Sequence, residues 1–491
     1  MGREKQNVRK ILRAFGTQGY FYLGSVFVFV AYLRPIFSEW VYSDEYHLFA
    51  QDSQARDHFN QDGALVGGLI YTNISRNLVS NPSDLWRLRI LSLVCLLLVL
   101  KEIARVTYAK NSNKLFQFVL PLSLLLPAPM TFISWSLMWQ ASLTILISFL
   151  ACEHWIKSKS TIRLIAIPLL SCAMLISTYC AFSYFAFFAG IAIFTKAKTQ
   201  EIFKNFRRLI ILFGASGITT GMIILLYTQV FNLKLSGRVK FLELSDVPNK
   251  LYWVVSRPLT VSSRFFDISS PSSTNAAIIL LLVLSVILLG IIKMSKGNLL
   301  ESFQYVSLLF SCVALTLTPL IITSSNQIEF RYILGSSWLI FCTFVYFCFE
   351  LISRKTGNLK ILTKLTVLLI VIAGTLTVNL NSERQFLSPY RSKVDFLKTQ
   401  LLKCKEFDKN MKTILILPPK EAFPARKNLG MYSQVTDLAS PWVPEPSVAR
   451  VLRAFNVEVL KINLQKKRII VESKNCSIDL EEYRQILIKN L

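Results

Sequence analysis

The amino-acid sequence predicts a polytopic α-helical membrane protein of about eleven transmembrane helices, followed by a small soluble α/β domain. Three observations carry this expectation. The 491 residues are 53% hydrophobic and only 17% charged, against about a quarter charged in soluble chains. Apolar runs of about the length needed to cross a bilayer recur along the first 381 residues. The Lys and Arg excess, a formal charge of +26, falls in short clusters between alternate runs, as the positive-inside rule requires. Nucleic-acid binding would instead gather that charge on a water-exposed domain, so it is excluded.

The runs can be taken in order. A basic flank, MGREKQNVRKILR, precedes the first, Gly19 to Phe37. No small-residue cleavage site follows, so it reads as a cytoplasmic flank rather than a signal peptide. The second runs from Leu88 to Thr107. Leu115–Met130 and Thr131–Ile156 form a hairpin broken by Pro127 and Pro129. Leu164 to Phe194 is too long for one helix and short for two. Both its flanks are basic, so an even number of crossings fits, as two short tilted helices. Leu209–Val230, Ala276–Ile292, Phe303–Thr323, Tyr332–Ile352 and Leu365–Leu380 complete the set.

This layout puts the N-terminus in the cytoplasm and two long loops, 38–87 and 231–274, on the far side with residues 382–491. The tail alternates short helical and strand patterns, among them Thr413–Leu417, Val457–Ile462 and Arg468–Glu472, and reads as an independent α/β unit. Trp442 lies there in a proline-rich stretch, a candidate substrate-facing loop. Cys404 and Cys476 flank the tail and are a disulfide candidate in an oxidising compartment. The other seven cysteines lie in apolar segments and read as small hydrophobes.

Chemistry is sought first in the 38–87 loop, where Glu39, Asp44, Glu45, Asp52, Asp57 and Asp62 stand among few other charges. Asp44 and Glu45 follow the first helix closely, between Trp40, Tyr42, Tyr46 and Phe49. Partial desolvation at a membrane surface raises a carboxylate's pKa and suits it to act as a base. His47 and Asp52 offer a minority reading as a divalent-metal site, although the chain has three histidines and no clustered pair. Otherwise no cofactor is expected. At the entrance of a late helix stands Glu329-Phe330-Arg331-Tyr332. Arg331 reads either as an interfacial anchor or as a phosphate ligand whose planar fork grips oxygens bidentately. Arg257 and Arg264 stand out in the 231–274 loop as cations that bind anions or balance nearby carboxylates. Trp135 reads as a packing residue or as a stacking surface for a sugar.

An Asp-Glu pair with an aromatic neighbour just after the first transmembrane helix resembles the hallmark of GT-C glycosyltransferases, such as protein mannosyltransferases and bacterial aminoarabinose transferases. Arg331-Tyr332 resembles the Arg-Tyr-x-x-Pro segment of several of them, without the proline. The overall layout is similar to that of serotype-converting O-antigen glucosyltransferases. The resemblance implies a base role for Asp44, assisted by Glu45, with Arg331 on the lipid phosphate. It also implies a polyprenyl-phosphate sugar donor, a lipid-linked glycan or lipopolysaccharide acceptor, and a bacterial inner-membrane location. Two rivals remain at this point: a flippase or transporter of lipid-linked saccharide, and a polysaccharide polymerase or ligase.

Overall fold

In the computed structural model, long apolar runs become helices because in lipid only a helix satisfies its own backbone polar groups. The structure describes residues 2–41, 43–49, 54–110, 114–158, 160–233, 242–266, 273–324, 330–353 and 358–388. Leu235, Tyr390, Arg391, Asp395, Arg450 and a short hairpin in the tail are described besides.

Among the described residues, twelve helices make the bundle: α1 (Gly2–Phe37), α2 (Trp86–Lys110), α3 (Lys114–Leu122), α4 (Pro127–Ser134), α5 (Trp139–Lys157) and α6 (Ala166–Ala181), then α7 (Tyr184–Phe194), α8 (Thr199–Phe231), α9 (Ser273–Met294), α10 (Leu299–Thr316), α11 (Leu334–Ser353) and α12 (Asn358–Asn381). Among the described residues, eight helical segments are long and apolar enough to cross a membrane, or nine if α3 and α4, bent by 61°, make one crossing. The bend falls where Leu126 adopts an extended conformation ahead of Pro127, since a residue preceding proline is pushed out of the helical region. The protein is a multi-pass membrane protein. Its outer helices bear a belt of exposed apolar side chains, including Ile218, Leu225 and Val230 on α8 and Leu281, Leu282 and Leu289 on α9. A soluble chain would not leave so large an apolar surface to water.

The stretch 164–194 resolves into α6 and α7. The eleven residues of α7 are almost wholly buried, and a helix apolar on every side belongs in an interior. It packs against α10 and α11, inside the bundle, and its eleven residues make it shorter than a helix that faces lipid across the whole hydrocarbon core.

Successive helices join through tight turns at one end of the bundle. Lys196 (φ 50°) and Lys296 (φ 53°) hold the left-handed conformation that closes helix ends. Three contacts tie these turns together: Lys196 to Glu350 (3.4 Å), Tyr305 Oη to the Ala197 carbonyl (2.6 Å) and Trp155 Nε1 to the Arg208 carbonyl (2.9 Å). The basic residues Lys157, Arg163, Lys196, Lys198, Lys293 and Lys296 therefore share one end. The long connections lie at the other. The segment 38–85 is mostly helical rather than an open loop, with turns Ser43–Glu45 and Tyr46–Phe49 and helices Gln54–Gln61 and Leu65–Ile70. The segment 242–266 contributes helix Val247–Val254 and the short helix Thr260–Ser262.

Close helix contact is built on small residues. A Cβ on Gly24 of α1 would lie 2.3 Å from the Phe118 carbonyl oxygen and 2.6 Å from Pro121 Cγ of α3. Backbone cannot swing aside, so Gly24→Val is expected to part α1 from α3 and cost about 1–3 kcal/mol. Thermal unfolding in detergent checks this; a midpoint equal to that of the unmodified chain would refute it.

In the tail, β1 (Leu464–Gln465) pairs antiparallel with β2 (Arg468–Ile469), and β2 falls within the expected strand Arg468–Glu472. Cys404, Trp442, Cys476 and the remaining expected strands lie outside the described residues. The boundary expected at 381/382 runs through packed structure: Ser382, Phe386, Leu387 and Tyr390 are all buried, so the membrane unit extends past α12.

Candidate active site

The site assembles at the end of the bundle opposite the basic turns, beginning where α1 stops. A helix C-terminus leaves its last carbonyls unpaired. Here Arg89, one turn into α2, supplies the donors. Nη1 donates to the carbonyls of Pro35 (3.2 Å), Ile36 (3.3 Å) and Ser38 (2.8 Å), and Nη2 to that of Trp40 (2.7 Å). Its guanidinium also lies 4.6 Å from the Trp40 ring centroid. A cation at the carbonyl end of a helix also meets the favourable pole of the helix dipole.

The chain turned back by this grip runs into Ser43–Glu45. Glu45 is wholly buried, and one of its oxygens lies 3.9 Å from Arg89 Nη2, with both side chains at 0% exposure. Its other oxygen accepts the backbone N–H of Ser136 at 2.5 Å. Asp44, next to it, is half-buried. The two carboxylates expected to share one role therefore have different environments. Glu45 is committed to Arg89 and Ser136, and Asp44 is the member of the pair that solvent or substrate can reach.

Ser136 follows Trp135, whose extended backbone (φ −87°, ψ 111°) separates α4 from the turn Ser136–Met138. An extended residue projects neighbouring groups in different directions. At this point the Ser136 amide meets Glu45, while the Trp135 ring meets Arg331, whose guanidinium carbon is 5.1 Å from the ring centroid. Arg331 also lies 4.8 Å from the Tyr332 ring and donates to Tyr332 Oη at 2.8 Å. Tyr332 in turn contacts Tyr179 near the end of α6 (4.7 Å). Aromatic faces around a guanidinium strip part of its water and fix its plane, which suits it to grip an oxyanion edge-on. One dipeptide thus links the acidic turn to Arg331.

Other expected residues fall around this core. Trp135 is buried, and Arg331 lies over its ring, so it serves as a platform for the guanidinium rather than an open stacking surface for sugar. Arg264 is half-buried beside α11: its neighbour Ser262 bonds Ser336 Oγ (2.7 Å), and Phe265 packs on Phe341 (5.2 Å). Arg257 is exposed on the turn Val255–Leu259, outside this contact set. His47 is buried and Asp52 lies outside the described residues. Among the described residues no three His, Cys, Asp or Glu side chains cluster as metal ligands.

The 54–78 helices pack over the same end. Ser75 Oγ accepts from Trp139 Nε1 (3.0 Å) and Gln140 Nε2 (3.4 Å). This anchors the turn that carries Trp135.

Sequence reasoning missed Arg89, although a lone guanidinium one turn into an apolar helix is a signal in itself. It also missed Tyr390, buried beside Tyr46, for which no local signal exists. No protein-family model, curated protein or solved structure matches this chain.

Proposed function

We propose that this protein is a GT-C-type glycosyltransferase of about eleven transmembrane crossings, acting at the outer face of a bacterial inner membrane. On this reading the N-terminus is cytoplasmic, and the tail and site end are periplasmic. α2 and the interior α7 complete the crossings. The donor is a polyprenyl-phosphate sugar, and the acceptor a lipid-linked glycan or surface polysaccharide.

Asp44 takes the proton of the acceptor hydroxyl, and the oxygen attacks the sugar C1. The bond from C1 to the phosphate oxygen breaks with inversion, and polyprenyl phosphate leaves with that electron pair. Arg331 meets the charge that develops on the leaving phosphate, where a preoriented cation stabilises a transition state most. Glu45 acts as a positioning residue, holding the acidic turn against Ser136. Arg264 is a second cation for the lipid phosphate, at the flank of α11.

One observation supports this reading above the others: a single dipeptide, Trp135-Ser136, holds the acidic turn and Arg331 together at the same end of the bundle. An acid–base group beside an aromatic-framed guanidinium serves phosphoglycosyl chemistry. A transporter needs charges near helix centres.

The test is transfer of labelled sugar from a polyprenyl-phosphate donor in membranes containing the chain. Loss of one charged hydrogen-bonding partner of the phosphate corresponds to about a 10- to 100-fold loss. Arg331→Ala is therefore expected to reduce transfer by that factor at unchanged protein abundance. Full transfer by Arg331→Ala would remove the proposed phosphate contact. Saccharide movement across the membrane without bond formation would favour the flippase.

A further inference from the structure

The connection from α8 to α9 carries a helix, Val247–Val254, that turns its charge inward and its apolar side chains outward. Lys250 is buried, its ammonium 4.3 Å from the Trp253 ring centroid, whereas Pro248, Leu251, Tyr252 and Val255 are exposed. A surface helix washed by water does the reverse. At 3.6 residues per turn the segment has three faces. Val247, Lys250 and Val254 turn toward the bundle, where the helix packs against the short helix Thr318–Ile322. Leu251 and Val255, with Pro248 and Tyr252 beside them, make the second face. Asn249, exposed and nearly opposite Leu251, marks the third.

Two tethers fix the height of this helix. Before it, the Leu242 amide donates to the Ile322 carbonyl (2.9 Å), at the end of the short helix that follows α10. After it, Ser262 Oγ meets Ser336 Oγ (2.7 Å), in the first turn of the membrane-spanning length of α11, Leu334–Leu351. The helix therefore lies at the ends of two crossings. The apolar belt reaches this end of the bundle as well, since α8 exposes Val230 and Phe231 at its last turn.

We propose that helix Val247–Val254 is an interfacial helix, seated flat among the lipid headgroups of the leaflet on the site side. Leu251 and Val255 face the acyl chains, and Asn249 faces water. The occupant of the exposed face is lipid. A few side chains over two turns are too small a patch for a stable protein partner, which needs about 20–30 residues a side. Tyr252, 76% exposed, stands at the border between the apolar face and Asn249. That is the place for a ring with an apolar body and a wet hydroxyl, as in the aromatic belts of membrane proteins. Lys250 is kept from the acyl region by facing the bundle, where the Trp253 ring receives its charge. The seat holds whether or not the chain transfers sugar.

The experiment uses the full chain in liposomes of phosphatidylcholine and phosphatidylglycerol, with a nitroxide spin label on Leu251→Cys, Val255→Cys or Asn249→Cys in turn. All three residues are exposed, so the labels leave the core intact. The unmodified chain, treated alike, gives the signal of its native cysteines. Relaxation by oxygen, which concentrates among acyl chains, and by a water-soluble nickel chelate reads the depth of each label. An interfacial helix sinks its apolar face by about 5–10 Å. Labels at 251 and 255 are therefore expected to read about 5–10 Å deeper than the label at 249, with oxygen dominating at the first two and nickel at the third. Equal or reversed depths would put the helix in water and overturn the seat. Protection of 251 and 255 from both reagents would mean that protein covers this face, and would overturn it equally.

Discussion

Asp44→Asn is expected to lower sugar transfer by about 10²- to 10⁴-fold, the range that a positioned general base contributes. Asparagine matches aspartate in size and keeps an acceptor oxygen, but it cannot take a proton from the acceptor hydroxyl. The neighbouring Glu45 does not offer a substitute. It is wholly buried and spends its oxygens on the Ser136 amide and Arg89, so freeing it for proton transfer would dismantle the turn. The measurement is turnover in membranes with equal amounts of both chains. Wild-type turnover by Asp44→Asn would remove the base and make a transport assay the next step.

Arg89→Met is expected to destabilise the fold by about 3–5 kcal/mol, the cost of removing one partner of a buried ion pair. The magnitude follows from what the guanidinium holds: the carbonyls of Pro35 and Ile36 in the last turn of α1, those of Ser38 and Trp40 just beyond it, and the carboxylate of Glu45, most of them buried away from water. Methionine fills similar volume, so lost packing contributes little, and the effect isolates charge and hydrogen bonds. Arg89→Lys retains the charge but not the planar fork that reaches several acceptors at once, and should fall between the two. Thermal unfolding in detergent reads both. An unfolding midpoint for Arg89→Met equal to that of the unmodified chain would show that the helix end needs no buried cation.

Much of the fold was legible because the signals for membrane helices are local. An apolar run of sufficient length becomes a helix in lipid whatever its neighbours do, and a cluster of lysines marks a turn. The acidic pair after α1 and the arginine before α11 were legible for a related reason, since a helix end fixes where its next residues emerge. The 164–194 stretch shows the limit. Its length and basic flanks pointed to two helices, while its placement inside the bundle depends on the surfaces of α10 and α11.

The division within the acidic pair shows it more sharply. Asp44 and Glu45 are adjacent, both acidic and both set among aromatics, and composition treats them alike. Only the arrival of Arg89 from α2 and of the Ser136 amide from the turn before α5 makes one a buried anchor and the other the reachable group. The same holds for Phe386, which has no local mark and gains its place by stacking on Trp40, far away in the chain. The sequence by itself determined that this chain enters a membrane, where its helices run and which end carries carboxylates and a guanidinium. Tertiary structure alone decided which charges meet, because hydrophobic burial depends on each segment's own composition, whereas an ion pair or hydrogen bond needs two distant segments brought within a few ångströms.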